Sequence, residues 1–498
     1  MNNQIKFYLE NYKFWLVVFV LVLTAFLVYS PHWNYNYPLH ADEWHHIQEA
    51  NSLLNGKYEL NSVSAFEIGY HVFLACLNLI GIDLVLAYKF LPVVFAIFAS
   101  SALFIFCFYL TKSFWSSLFS MIFFASLPSD VNLLGLWFAV PLTFSIFLVI
   151  LSFLFFYKGI DEDKKFLWIF CIIFFILAFV HAISAFFVFI ISFLFLLGRY
   201  KKGKIDKAKL KILSVIPLIL IAAAIIFVIF SGKNISWFLS QLMFSEKWSL
   251  INMGVDTNPL IFNFFSVNFF VSQYFLPVLF GIFPFLLALI GLYFSLKKEK
   301  CVLISIWMSY CIFISFIFVN FKISPFVSYQ RGLYYSLIAL CILAGIGLVE
   351  CIKLIKNKLE NNKIIAFCLI IALLFLSFFL VFYHYGEQRK GTELYYLINL
   401  QEYNNLVQLG KIANNRIILA PIDISTAIPA ITNNNVLSTI YFTGNDKIRD
   451  EIKQFFYSGC LYKKDFLKNH SVDYIYSEDK IDCGFKEVYS GGFFVYSS

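Results

Sequence analysis

Residues 38–50 read PLHADEWHHIQEA, and this short stretch holds two adjacent carboxylates, three histidines and Glu49. Asp42 and Glu43 cannot both face one direction on a helix, so they can take separate tasks. One can accept a proton from an incoming hydroxyl while the other holds a metal or orients a substrate. Asp42 lies i,i+3 and i,i+4 from His45 and His46, which a helix would place on one face. The HExxH spacing of zinc hydrolases is absent, and a helix cap at Asp42 would account for the same residues. Asp130, in LPSDVN (127–132), follows a proline and is either a turn or cap residue or a second acid. His181 interrupts an otherwise unbroken apolar run. Arg331 is one of only five arginines among 38 basic residues, and Lys322 lies nine positions before it. A guanidinium binds phosphate bidentately, where an ammonium is only a point charge.

These groups must be positioned by a membrane framework. The chain has 498 residues, 60% hydrophobic and only 14% charged, a balance that leaves too little polar surface for a soluble protein. Apolar runs are long enough for helices crossing a hydrocarbon layer of about 30 Å, and the short alternating segments of a closed barrel are not evident. The spans read as 14–29, 89–110, 114–128, 133–157, 166–181, 182–198, 212–231, 273–296, 301–319, 332–350 and 364–383. The segment 68–80 is short and carries Tyr70, His71 and Asn78, which suits a helix lying at the interface. Phe14–Tyr29 lacks a small-residue cleavage site and reads as a signal anchor.

The net charge of +8 orients the chain and is no sign of nucleic-acid binding. Lysines crowd the loops 198–211, 297–300 and 351–363, which the positive-inside rule places in the cytoplasm. Eleven spans with a cytoplasmic N-terminus put all three there; counting 68–80 as a twelfth would put them outside. The outer face then collects the loop 30–88, Asp130, His181, the loop 232–272, the segment 321–331 and everything after Tyr383. The expected domains are a transmembrane catalytic domain, 1–383, and an extracytoplasmic α/β domain, 384–498. In the latter, 397–412 has helical spacing, and RIILA, VDYIYS and FFVYS read as strands. Its only two cysteines, Cys460 and Cys483, are expected to pair outside the cell. The other eight cysteines lie in or beside apolar spans and read as small packing residues.

No phosphate-cradling glycine loop is present, and nucleotide-activated donors are scarce outside the cell. An outward-facing enzyme needs a donor that arrives through the membrane, and a sugar on a polyprenyl phosphate meets that need. Here the order of parts resembles the GT-C glycosyltransferases that use lipid-phosphate sugars. After one span comes P-x-x-x-D-E, as PLHADEWHHIQEANSLLNG; then a surface helix, GYHVFLACLNLIG; then paired spans and an outer acid, Asp130. A late outer arginine precedes an aromatic-rich span, QRGLYYSLIALCILAGIGL, and an α/β domain ends the chain.

The resemblance implies a catalytic base or metal ligand at Asp42, with supporting roles for Glu43 and Asp130. It implies donor-phosphate binding by Arg331 with Lys322. His45, His46 and His181 would line the site, and a divalent cation (Mg or Mn) could sit at Asp42, Asp130 and His46. The partners would be a polyprenyl-phosphate sugar donor, a glycan, lipid or protein acceptor, and membrane lipids. The oligosaccharyltransferase branch carries a WWDYG motif in its soluble domain, and this chain lacks it. Closer kinship is therefore expected with single-sugar transferases of the protein mannosyltransferase and aminoarabinose transferase types. The rival readings are a transporter or flippase, and a polymerase, of lipid-linked glycans; no internal repeat supports the transporter.

Overall fold

The computed structural model describes residues 3–59, 66–129, 133–201, 203, 206–231, 243–245, 276–321, 323–325, 327–389, 396–440 and 446–497. Asp130, Lys322 and most of the loop 232–272 lie outside them. In chain order the helices used below are α1 (Asn3–Tyr29), α2 (Ala41–Leu54), α3 (Ile68–Leu79), α4 (Leu91–Thr111), α5 (Phe114–Ala125) and α6 (Pro141–Asp161). They continue as α7 (Lys165–Val180), α8 (Ala182–Lys201), α9 (Val215–Ser231), α10 (Ile282–Leu296), α11 (Val302–Phe321), α12 (Tyr329–Lys358) and α13 (Lys363–Arg389). The C-terminal part adds α14 (Leu400–Ile412), α15 (Ile422–Ile431), α16 (Asp446–Tyr457) and α17 (Cys460–Asn469).

Among the described residues, each of the eleven expected spans overlaps a helix. Among the described residues, six stretches are long and apolar enough to cross a membrane: Tyr12–His32, Leu91–Thr111, Pro141–Asp161, Ala182–Lys201, Glu299–Phe318 and Tyr329–Lys358. Others are shorter apolar helices, among them Phe114–Ala125, Lys165–Val180 and Ile282–Leu296. The span expected at 133–157 begins later, at Pro141, because 133–140 is folded into turns. His181 does end one helix and precede the next; its backbone is extended, with φ −158° and ψ 93°.

The described chain divides into two compact units. The first comprises Met1–Pro31, Glu59–Tyr70 and Phe90–Lys390. Several hydroxyls inside its helices donate to carbonyls one turn back, as Thr24 to Val20 (2.8 Å), Ser120 to Ser116 (2.7 Å) and Ser336 to Gly332 (2.9 Å). In a hydrocarbon surround an unsatisfied polar group would be costly. The central packing uses α12 against α10 and α5, where small residues bring backbones together.

The second unit comprises His32–Tyr58, His71–Lys89 and Gly391–Ser498. Most of the loop 30–88 thus belongs to the same compact body as the C-terminal segment. The sheet of this unit has strands β1 (Ile417–Leu419), β2 (Asn435–Val436), β3 (Tyr474–Ser477), β4 (Lys486–Ser490) and β5 (Phe494–Ser497), in the order β2-β1-β3-β5-β4. β1 is parallel to β2 and β3, while β5 runs antiparallel to β3 and β4. The strands expected in RIILA, VDYIYS and FFVYS are β1, β3 and β5. Leu419, Ile452, Phe455, Ile475 and Tyr496 form the core between sheet and helices.

Cys460, opening α17, is bonded to Cys483 with Cα atoms 5.1 Å apart. Replacing both by serine is expected to destabilise this unit by about 3 kcal/mol, the chain entropy released from a loop of this length. Thermal unfolding of the two forms would show it. Alkylation of both thiols in the non-reduced native protein would remove the bond from the argument.

Candidate active site

The P-x-x-x-D-E motif opens α2. His40 is its N-cap, with extended backbone (φ −128°, ψ 151°), and its Nδ1 accepts the Asp42 amide N–H at 3.1 Å. Histidine is an unusual cap, but its ring nitrogen takes the role usually given to a serine or aspartate oxygen. The Glu43 carboxylate reaches back and accepts the N–H groups of Leu39 (2.6 Å) and His40 (3.0 Å), closing a capping box. Glu43 is fully buried, and its charge sits where the helix dipole favours an anion. The adjacent carboxylates therefore differ in their surroundings. Glu43 holds the chain entry, and Asp42 keeps a partly exposed carboxylate (21%) whose Oδ2 lies 3.7 Å from His40 Nδ1. The two N–H groups that Glu43 accepts fix the start of α2.

His45 faces Glu49 one turn on, at 3.8 Å. Burial holds its pKa below the usual value, with the charge of Asp42 acting in the other direction. His46 is buried, its ring centre 5.8 Å from that of His45, and its Nδ1 meets His71 Nε2 at 3.0 Å. His71 Nδ1 in turn meets the Tyr58 hydroxyl at 2.9 Å. His46 thus links α2 to α3 through His71, with the His45 ring beside it. Asn51 of α2 repeats the pattern, accepting from Asn78 Nδ2 (3.2 Å) and donating to the Ala430 carbonyl of α15 (3.2 Å). His71 and Asn78, the polar residues that marked 68–80 as no ordinary span, are the ones that dock α3 onto α2. Sequence reasoning passed over both as site residues, although their presence in an apolar helix was the available signal.

His71 is fully buried, and its pKa falls to about 3 through burial and then the charge of His45. The unfolded chain, with an ordinary histidine near 6.5, takes up this proton first as pH falls. The contribution of neutral His71 to stability is therefore complete above pH ~6.5 and is lost as pH drops toward 3. Thermal unfolding of the full chain with a chelator present, at pH 7 and pH 4, should show a smaller loss for His71→Gln than for the wild type. An equal loss would mean that another group dominates.

In the first unit Arg331 lies in the first turn of α12 and donates from Nη1 to the Leu133 carbonyl at 3.2 Å. Among the described residues no carboxylate lies within ion-pair distance of it. A cation at a helix N-terminus adds its charge to the positive end of the dipole, an arrangement that favours a bound anion. The Leu133 carbonyl is presented by the turn after Asp130, where Ser129 Oγ accepts the Trp137 amide at 3.4 Å and Trp137 Nε1 donates to the Tyr385 hydroxyl at 3.1 Å. A Cβ on Gly135 would come within 2.3 Å of Ser129 Oγ, so the turn closes only around glycine.

His181 is buried in the same unit. Its Nε2 is 3.7 Å from Glu67 Oε1 and its Nδ1 2.6 Å from Ser184 Oγ, which also meets Tyr335 (2.5 Å) and Ser145 (2.7 Å). Tyr335 stands one turn beyond Arg331 on α12, so this polar line begins on the face that carries the guanidinium.

Comparison with solved structures bears on this arrangement. The archaeal oligosaccharyltransferase AglB from Archaeoglobus fulgidus, in complex with an inhibitory peptide and a dolichol-phosphate, superposes with a TM-score of 0.64 at 12% identity, over 94% of this chain and 69% of that one. The chain adopts the GT-C glycosyltransferase fold. The oligosaccharyltransferase of the same organism tethered to an acceptor peptide containing the NVT sequon gives 0.63, at 12% identity and the same coverage. Its complex with Zn and sulfate gives 0.60 at 13%, over 93% of this chain and 68% of that one. No family model matches the chain, and no curated protein sequence does.

The expected cation set of Asp42, Asp130 and His46 can be tested only in part, because Asp130 lies outside the described residues. Asp42 stands beside His40, and His46 faces His71. His46 and His71 offer two imidazole nitrogens 3.0 Å apart, a donor pair suited to a borderline cation such as zinc more than to magnesium.

Proposed function

We propose that this chain is a multi-pass membrane glycosyltransferase that moves a sugar from a polyprenyl-phosphate carrier to an extracytoplasmic acceptor. The N-terminus lies in the cytoplasm and the second unit outside. The observation that carries this reading is the GT-C fold of a chain whose P-x-x-x-D-E motif leaves one carboxylate, Asp42, partly exposed and not engaged in its capping box. Asp42 accepts the proton of the acceptor hydroxyl. The acceptor oxygen bonds to the anomeric carbon, the bond from that carbon to the phosphate oxygen breaks, and the electron pair leaves with the phosphate. Attack from the opposite face inverts the configuration. Arg331 stabilises the departing charge, and its lack of a carboxylate partner among the described residues supports that role. A divalent cation would add Lewis acidity at the phosphate, with His46 and His71 as described donors. Asp130 and Lys322 are proposed to support the acid and the phosphate-binding group respectively. The lack of a WWDYG stretch favours a single sugar over en bloc transfer of an oligosaccharide.

The test is transfer of labelled sugar from a synthetic polyprenyl-phosphate donor in membranes containing the protein. Arg331→Lys, which keeps charge but loses the bidentate fork, is expected to raise the donor KM by roughly tenfold with a smaller change in kcat. An unchanged KM would remove Arg331 from the donor site. Movement of labelled donor between leaflets without cleavage would favour the transporter reading instead.

A further inference from the structure

We propose that Lys112, Lys158 and Lys300 form a binding site for the phosphate headgroup of an anionic phospholipid at the basic end of the first unit. The three come from different elements: the end of α4, the last turn of α6, and the 3-10 turn Glu299–Cys301. Their ammonium groups converge on one ring, that of Tyr109, at 4.8 Å, 5.7 Å and 5.5 Å from its centre. Among the described residues none of the three lies within ion-pair distance of a carboxylate. The nearby acids are largely engaged elsewhere: Arg199 holds Asp161 (3.2 Å) and Glu299 (3.8 Å), and Lys165 holds Asp163 (3.2 Å). Glu162 faces the Tyr109 hydroxyl. Three like charges gathered around one ring repel each other. The negative face of the ring, and that of Phe166 at 4.7 Å from Lys158 Nζ, offset that only in part, which leaves a positive cluster suited to an anion.

The backbone supplies a separate observation. Lys112 caps α4 in the left-handed conformation, φ 54° and ψ 24°, with its N–H on the Phe108 carbonyl at 2.8 Å. Glycine is the ordinary residue there, because a Cβ is disfavoured in that region. A lysine held in it spends stability to place its side chain. Ile105, Phe108 and Trp115 are exposed close by, which offers acyl chains an apolar wall and favours a lipid over a free phosphate. These residues lie at the end of the helices that carries the lysine-rich loops, where anionic headgroups and basic clusters meet.

The test uses the full chain in nanodiscs of phosphatidylcholine with or without phosphatidylglycerol, read by thermal unfolding and by native mass spectrometry of retained lipid. Phosphatidylglycerol is expected to raise the melting temperature and to be retained by the wild type. Lys112→Gly should melt higher than the wild type in phosphatidylcholine alone, since the cap is relieved. It should nevertheless bind phosphatidylglycerol roughly fivefold more weakly, the effect of one lysine near an anionic headgroup. Unaltered phosphatidylglycerol binding in Lys112→Gly, or in a Lys158→Gln/Lys300→Gln variant, would overturn the site. So would an equal melting shift from inorganic phosphate in phosphatidylcholine discs. Neither readout depends on sugar transfer.

Discussion

Asp42→Asn is expected to lower sugar transfer by roughly 10²–10⁴-fold, the usual range for loss of a general base, with the chain still folded and inserted. The separation is possible because the motif divides its labour. The start of α2 depends on the backbone N–H of Asp42, on the His40 ring and on the Glu43 carboxylate, and none of these changes in Asp42→Asn. What is lost is one partly exposed carboxylate and a 3.7 Å contact with His40. Glu43→Gln should behave in the opposite sense. It removes a buried charge that accepts two backbone N–H groups, and should cost about 1–3 kcal/mol of stability. Turnover and melting temperature measured on both variants would distinguish the roles. Near wild-type turnover in Asp42→Asn would take that residue out of the mechanism.

Gly347→Val is expected to abolish recovery of folded protein, because α10 and α12 touch backbone to backbone at this point. A Cβ on Gly347 would stand 1.9 Å from the Leu287 carbonyl oxygen, and one on Gly291 would stand 1.9 Å from that of Leu343. Neither obstacle is a flexible side chain, so the helices would have to part. Overpacking of ordinary cores costs about 1–3 kcal/mol, and a blocked backbone contact belongs above that range. Gly345 makes a third such approach, against Ser116 and Ser120 of α5. Gly198→Ala and Gly386→Ala are the controls: a Cβ there meets nothing within 4 Å, and both lie in helices. They should be neutral or slightly stabilising. Monodisperse yield after detergent extraction would report the contrast. A Gly347→Val protein as soluble and stable as the wild type would refute the close approach.

The sequence carried some of this and not the rest for physical reasons. Apolar runs and basic loops are local signals, so the helices were legible, including the break at His181. The strands of the C-terminal segment were legible from their β-branched and aromatic residues. The pairings were not. His46 with His71, and Asn51 with Asn78 and Ala430, join positions 25, 27 and 379 residues apart. No periodicity encodes which partner a buried histidine finds. A cap made by a histidine ring also escapes a reading tuned to serine and aspartate. The boundary at 383/384 followed the last apolar run, whereas compactness follows contacts made by loops far from it.

The second unit joins His32–Tyr58 and His71–Lys89 to Gly391–Ser498, and this sets an order in time. A ribosome making roughly 5–20 residues per second needs some 15–60 s to travel from the first of these pieces to the last. Throughout that interval α2 has been synthesised while α15, whose Ala430 carbonyl receives Asn51, has not. The segment bearing Asp42 therefore has α3 beside it early but waits for α15 until translation is nearly complete. A chain released early would keep its motif but never the surface on which the motif is mounted.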